Sequence, residues 1–335
     1  MAVPALLDLL APEAARRVAL AQLADAAAAE QRLRHATDPE ALHDFRVALR
    51  RLRSTLRAYE DVLDDTVHRK LRRALRRAAR TTGESRDLEV HAQWVRERQH
   101  RLGRTGRAGA RWLLARLERQ RAGADRQLRR RALAGWAALH ADLADALSQW
   151  TRTVHLDEDV PPPRFAAMAA VLVEQQADAL REALARARAD ADPDALHQAR
   201  IAGKRLRYLL EPLGDEIPLA AALVGELKRL QDALGVVQDA HVFAREIAAA
   251  VEAAGEERAR SLSAEVAREA DLDDGSAALD DPLPGLLALA RRLGRERAAA
   301  QASLQRDWLG DDDPAPLAPV TEVVAALRAH AAHDA

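Results

Sequence analysis

Apolar residues recur along this chain at intervals of three and four, and no alternating run of β-branched residues appears, so the pattern predicts helices throughout. A first helix is expected over 12 to 36, alanine-rich, with Val18, Leu20 and Leu23 as its apolar points. The second, about 40 to 60, separates its residue types most sharply. At 100° per residue, Leu42, Phe45, Leu49, Leu52 and Leu56 form one stripe, and His43, Arg46, Arg50, Arg53 and Arg57 form a cationic stripe beside it. Its start is written as Asp38 and Pro39: the acid offers an oxygen to open backbone N–H groups, and proline suits a first position whose donor is not needed.

The same helix is written a second time. Asp38, Pro39, Ala41, Leu42, His43, Arg46, Ala48, Arg51, Leu52 and Arg53 return, at a constant offset of 154, as Asp192, Pro193, Ala195, Leu196, His197, Arg200, Ala202, Arg205, Leu206 and Arg207. Leu196, Ala199, Gly203, Leu206 and Leu210 make the second apolar stripe, and His197, Arg200, Lys204 and Arg207 the second basic one, with Glu211 standing where the first copy has Arg57. Charge that only solvates a helix alternates in sign or sits opposite the core, whereas here one sign borders the core edge twice in the same register.

After the acidic turn Asp61 to Asp65 comes a very basic helix, 68 to 80, expected to end before Gly83. Lys70, Arg73, Arg77 and Arg80 share one of its faces, Arg69, Arg72 and Arg76 lie next to it, and Leu71 and Leu75 anchor the other side. A new helix is expected beyond Gly83 with Ser85 or Asp87 as its cap, and Gly235 and Asp239 repeat Gly83 and Asp87 at an offset of 152. Residues 101 to 131 carry further arginines, and 132 to 150 form an amphipathic helix. Three consecutive prolines stop any helix in 154 to 164. Residues 165 to 190 match the first helix in role, 271 to 285 read as an acidic loop, and a short helix is expected at about 319 to 332. The expected architecture is therefore all-α: a first four-helix repeat over 1–153, a Pro-rich linker over 154–164, a second four-helix repeat over 165–309, and an acidic loop with a short helix over 310–335.

The absence of cysteine excludes disulfides and thiolate metal sites and fits a reducing compartment. The N-terminus lacks a basic start and Asp8 interrupts its apolar run, and no apolar span is long enough to cross a bilayer, so a cytoplasmic protein is expected. The net charge of −1 conceals an asymmetry: residues 43 to 131 hold 26 Arg or Lys against 11 Asp or Glu, a local net of +15, which leaves −16 elsewhere. Such a field calls for an anionic partner.

The pattern His-x-x-Arg-[Val/Ile]-Ala-x-[Arg/Lys]-Arg-Leu-Arg, at His43 to Arg53 and again at His197 to Arg207, together with the turn at Gly235 to Asp239, resembles the CHAD family of α-helical histidine-bearing domains. The resemblance covers roughly residues 12 to 309. It implies two four-helix bundles related by a pseudo-twofold axis, with basic stripes facing a shared central cavity. It also implies binding of inorganic polyphosphate and recruitment to polyphosphate granules. By position, the ligand-facing set it implies is His43, Arg46, Arg50, Arg53 and Arg57 in one half and His197, Arg200, Lys204 and Arg207 in the other, with Lys70, Arg73, Arg77 and Arg80 from the following basic helix. In the second half only Lys228 and Arg229 match those last four, so the site should lean toward the first half. The triphosphatase domain carried by some relatives, with its alternating glutamates, has no counterpart in this sequence.

Chemically, polyphosphate is a line of charges without bases or sugars, and helices with a cation every turn, about 5.4 Å apart, offer a matching track. His43 and His197 would donate to phosphate when protonated, although neighbouring cations oppose that protonation. A metal role is not expected, since the residues three and four beyond His43 are Arg46 and Val47 and no adequate ligand set is visible. Nor is any catalytic residue or cofactor. The acid groups Asp64 with Asp65, Asp273 with Asp274, and Asp311 to Asp313 fall in expected loops, away from the stripes, where metal-assisted phosphoryl chemistry would not find them. The alternative is a general polyanion or RNA-binding helical protein. Single-strand recognition adds aromatic platforms among the cations, and only Tyr208 flanks either stripe.

Overall fold

The computed structural model describes residues 5–34, 38, 40–63, 66–148, 162–189, 193–267, 281–310 and 317–333. Among them no strand forms; the nearest to one is a single antiparallel bridge between Leu10 and Arg164. The helices are α1 (Ala11–Arg34), α2 (Ala41–Ala58), the one-turn α3 (Glu60–Leu63), α4 (Arg69–Gln99), α5 (Arg104–Gln127), α6 (Ala134–Ser148), α7 (Phe165–Ala189), α8 (Pro193–Leu210), α9 (Pro218–Ala267), α10 (Leu283–Trp308) and α11 (Val320–His333). A π-helical turn, Leu128–Leu133, joins α5 to α6, and a 3₁₀ turn, Glu211–Leu213, follows α8.

One expected boundary is overturned. The helix predicted to stop before Gly83 continues through it, so that α4 is a single helix of 31 residues, and α9 runs through Gly235 for 50 residues. A glycine inside a helix costs only about 1 kcal/mol relative to alanine, which neighbouring packing offsets. Ser85, read as a candidate cap, is used differently: its hydroxyl donates to the Asp125 carboxylate, and near it the Thr82 hydroxyl donates back to the carbonyl of Ala79 at 2.7 Å.

The chain groups into two compact units, and neither is one half of the sequence. The first comprises Met1–Gly83, Leu128–Leu234 and Leu304–Ala335, the second Glu84–Gln127 and Gly235–Ser303. In the first unit α1 packs on α2, α7 on α8, and α11 on α7. The apolar stripes of α2 and α8 form its interior, with Phe45, Leu49, Leu52 and Leu56 from one and Leu196, Ala199, Leu206 and Leu210 from the other all buried. Phe45 meets Trp136 of α6 edge to face at 5.1 Å, and Tyr59 lies 5.5 Å from Phe165 of α7. Most of the proposed linker, 154 to 161, lies outside the described residues.

In the second unit Val95, Leu113, Leu117, Phe243, Ile247, Leu286 and Leu289 make the core. Here α5 and α10 approach backbone to backbone: a Cβ added at Gly109 would lie 2.6 Å from the carbonyl carbon of Gly285. His91 stacks on Phe243 with ring centroids 4.3 Å apart.

Candidate anion-binding cavity

The start of α2 is fixed locally. The Asp38 carboxylate accepts the backbone N–H of Glu40 at 2.9 Å and is held by Arg32 at 2.8 Å. With the apolar stripe buried, each large apolar core residue of α2 is followed by a cation turned about 100° away: Phe45 by Arg46, Leu49 by Arg50, Leu52 by Arg53, Leu56 by Arg57. These cations border the core, where burial and each other's charge act on them.

A cavity of about 780 Å³ lies within the first unit. From α2 come Arg50, Arg53, Ser54, Leu56 and Arg57; from α4 Arg69, Arg72, Arg73, Leu75 and Arg76; from α8 Ile201, Lys204, Arg205 and Tyr208; and Glu60 lies at its edge. Among the described residues nine cations thus face one carboxylate, and that carboxylate is paired with Arg72. Arg53, Arg57, Arg69, Arg73, Arg76 and Arg205 have no acidic partner among the described residues.

The electrostatic cost of this arrangement shows in three guanidiniums whose pKa values are lowered. For Arg53 the main cause is burial, followed by the charges of Arg76 and Arg57. Arg205 is lowered by burial and then by Arg57 and Arg53. Arg50 is lowered by burial, with Arg46 and Arg207 adding repulsion and Tyr208 opposing the shift. Arginine stays charged nonetheless, so the cavity holds repelling cations drawn from both copies of the signature helix. An anion placed there removes that repulsion.

Of the residues singled out from sequence, Arg50, Arg53, Arg57, Arg73 and Lys204 line the cavity. His43, Arg46, Lys70, Arg77, Arg80, His197, Arg200, Arg207 and Lys228 do not. His43 is exposed, while the Nδ1 of His197 is buried with no partner among the described residues. Arg207 is drawn to Glu211, whose other carboxylate oxygen accepts from Arg51 Nε at 2.7 Å. Lys228 is exposed, Arg229 is paired with Glu226, and α9 contributes nothing to the lining, so the site leans on the first copy's α4.

Arg69, Arg72, Arg76, Arg205 and Tyr208 were not singled out as ligand-facing, and the first three had a legible signal. On α4 the packed face is Leu71, Leu75, Ala78 and Thr82, with Leu71 half-buried and the others buried. The rule visible on α2, a cation immediately after each core residue, selects Arg72 and Arg76, with Arg69 and Arg73 adjoining them. Lys70 and Arg77 fall on the opposite flank. No comparable signal existed for Arg205, whose first-copy counterpart Arg51 does not line the cavity.

Among the described residues no group of three or more histidine, cysteine, aspartate or glutamate side chains could hold a metal ion. No described helix is long and apolar enough to cross a membrane. Asp64, Asp65, Asp273, Asp274 and Asp311 to Asp313 lie outside the described residues.

Among curated proteins none matches this chain. Two solved structures are similar throughout. One is the CHAD domain from the plant Ricinus communis, 21% identical, with 98% of this chain and 96% of that one covered at a TM-score of 0.57. The other is PptA from Streptomyces chartreusis, 20% identical, with 89% and 99% covered at a TM-score of 0.60. At these identities the likeness is one of fold. The family model for the CHAD domain matches residues 17–248, more than half of the chain and both signature helices, and the chain therefore belongs to the CHAD domain family.

Proposed function

We propose that this protein binds inorganic polyphosphate in the arginine-lined cavity and is thereby directed to polyphosphate granules in the cytoplasm. The observation that carries the reading is the convergence, among the described residues, of nine cations from three helices on one cavity with a single carboxylate, Glu60, itself paired. Each charge-assisted contact to a phosphate oxygen is worth about 1.5 to 3 kcal/mol, and guanidinium forks suit that geometry. Binding displaces counterions, so affinity falls steeply with salt. Paired carboxylates are absent from the described cavity wall, which favours a binding protein over a phosphohydrolase.

RNA is the competing ligand. Among the described residues Tyr208 is the sole aromatic side chain of the cavity wall, and it is buried and engaged by Arg50, so it offers no open face for a base to stack on. The test is a competition titration. Labelled long-chain polyphosphate bound to the protein is displaced by unlabelled polyphosphate or by single-stranded RNA of equal total charge, at two salt concentrations. Polyphosphate is expected to displace at far lower concentration, and equal displacement by RNA would reduce the cavity to a general polyanion surface. A fluorescent fusion carrying Arg53→Ala with Arg57→Ala should lose the granule association of the wild-type fusion.

A further inference from the structure

Tyr208 stands in a cavity wall dominated by cations. It is 4% exposed, and its hydroxyl accepts a hydrogen bond from Arg50 Nε across the two copies of the signature helix. The guanidinium carbons of both Arg50 and Arg207 lie over its ring, at 5.7 Å and 4.9 Å. Its counterpart in the first copy, 154 residues earlier, is Ser54, which also lines the cavity but has no ring to offer.

We infer that Tyr208 is a positioning residue: it fixes the Arg50 guanidinium toward the bound polyanion while leaving its charge unspent. The inference rests on the polyanion reading above. A carboxylate in this place would orient Arg50 equally well but would neutralise it, as Glu211 does for Arg51 and Arg207. A phenylalanine would keep the ring and leave the Nε–H without its acceptor. A phenol is a neutral acceptor with an aromatic face, and so it holds the cation by one N–H and one π contact. Arg50 has no acidic partner among the described residues, and its two Nη groups make no bond to the described protein, which leaves the forked end for phosphate oxygens. Arg207, over the same ring, is itself anchored by Glu211. Holding a rotamer-rich side chain in its bound geometry beforehand removes part of the ordering cost of binding.

The experiment measures polyphosphate affinity over a range of salt for wild type, Tyr208→Phe, Tyr208→Gln, Arg50→Ala and the Tyr208→Phe, Arg50→Ala pair, with melting temperatures alongside. Tyr208→Phe is expected to bind about fivefold more weakly, on the scale of one side chain's ordering cost. The slope of log affinity against log salt should stay unchanged, because no cation is lost. Arg50→Ala should weaken binding further and lower the slope by about one phosphate contact, and adding Tyr208→Phe to it should do nothing more. Tyr208→Gln, which restores a neutral oxygen without the ring, should recover part of the loss. Unchanged affinity in Tyr208→Phe, a reduced slope in that variant, or an equal loss with Arg50 already removed would each overturn the inference. Failure of the wild-type protein to bind polyphosphate would instead overturn the functional reading itself.

Discussion

The two signature helices share ten residues at one spacing and yet meet the cavity differently. On α2, Arg50, Arg53 and Arg57 all reach the wall, and Arg51 leaves it for Glu211. On α8, Lys204 and Arg205 reach the wall, and Arg207 leaves it, again for Glu211. That one acid stands where the first copy has Arg57. This single reversed charge engages two arginines, Arg51 from the first copy and Arg207 from the second, neither of which lines the cavity. The comparison teaches that a repeated motif supplies candidate cations, and that the acid beside them decides which are available.

The largest effect should come from reversing charge on the fuller wall. Arg53→Glu with Arg57→Glu is expected to lower polyphosphate affinity at least about a hundredfold at physiological salt, two charge-assisted contacts being worth roughly 3 kcal/mol or more together. Arg207→Glu, the second-copy counterpart of Arg53→Glu, should cost about tenfold or less, since that side chain is already committed to Glu211 and lies off the wall. Comparable losses from the two, read by titration, would break the distinction between the copies.

Next is Glu211→Arg, which makes the second copy like the first. It leaves Arg51 and Arg207 without their shared partner and adds a third cation. The pair is only partly buried, Arg51 being 38% exposed, so the loss of stability should be about 1 to 3 kcal/mol, between the surface and buried limits. The melting temperature should fall by several degrees, and added polyphosphate should raise it by more than in wild type.

The second unit offers a further contrast between the copies. His91 and Phe243 are equivalent at the offset of 152 and stack on each other. Burial lowers the His91 pKa below the usual 6.5, with Asp87, Glu246 and Asp239 opposing the shift. The folded state therefore resists protonation, and the unfolded chain takes the proton first. This stability is fully present above pH 6.5 and declines as pH falls below it, until the folded histidine is itself protonated. His91→Phe should flatten the decline, which denaturant melts at pH 5 and pH 8 would measure. An unaltered slope would show that His91 does not govern it.

The smallest effect is expected from the residues that the family pattern makes most conspicuous. His43 and His197 stand outside the cavity wall, so His43→Ala with His197→Ala should change polyphosphate affinity by less than about threefold, the scale of a lost neutral contact. A loss above tenfold that deepens as pH falls would return them to the ligand.

Much of this was written locally. Most of the helices follow from apolar spacing and from proline and aspartate signals, although the one-turn α3 begins where an acidic turn was expected, and the stripes of α2 and α8 are buried and bordered as their spacing dictates. The face of α4 was legible too, but only once Leu71, Leu75 and Ala78 were known to be its packed side, since a helix so rich in arginine offers a cation on nearly every flank. The glycines at 83 and 235 looked like stops because a glycine's helical cost is local, while the packing that offsets it is not.

By itself the sequence determined the all-helical class, the duplication of the signature helix and the register of its cationic edge, because periodicity and charge are properties of neighbouring residues. Only the tertiary structure decided which cations share a cavity, that Glu211 withdraws Arg51 and Arg207, that Tyr208 rather than an acid holds Arg50, and that each compact unit takes helices from both repeats. Those outcomes depend on side chains some 160 positions apart meeting across packed helices, and pair interactions of that kind leave no trace in local spacing.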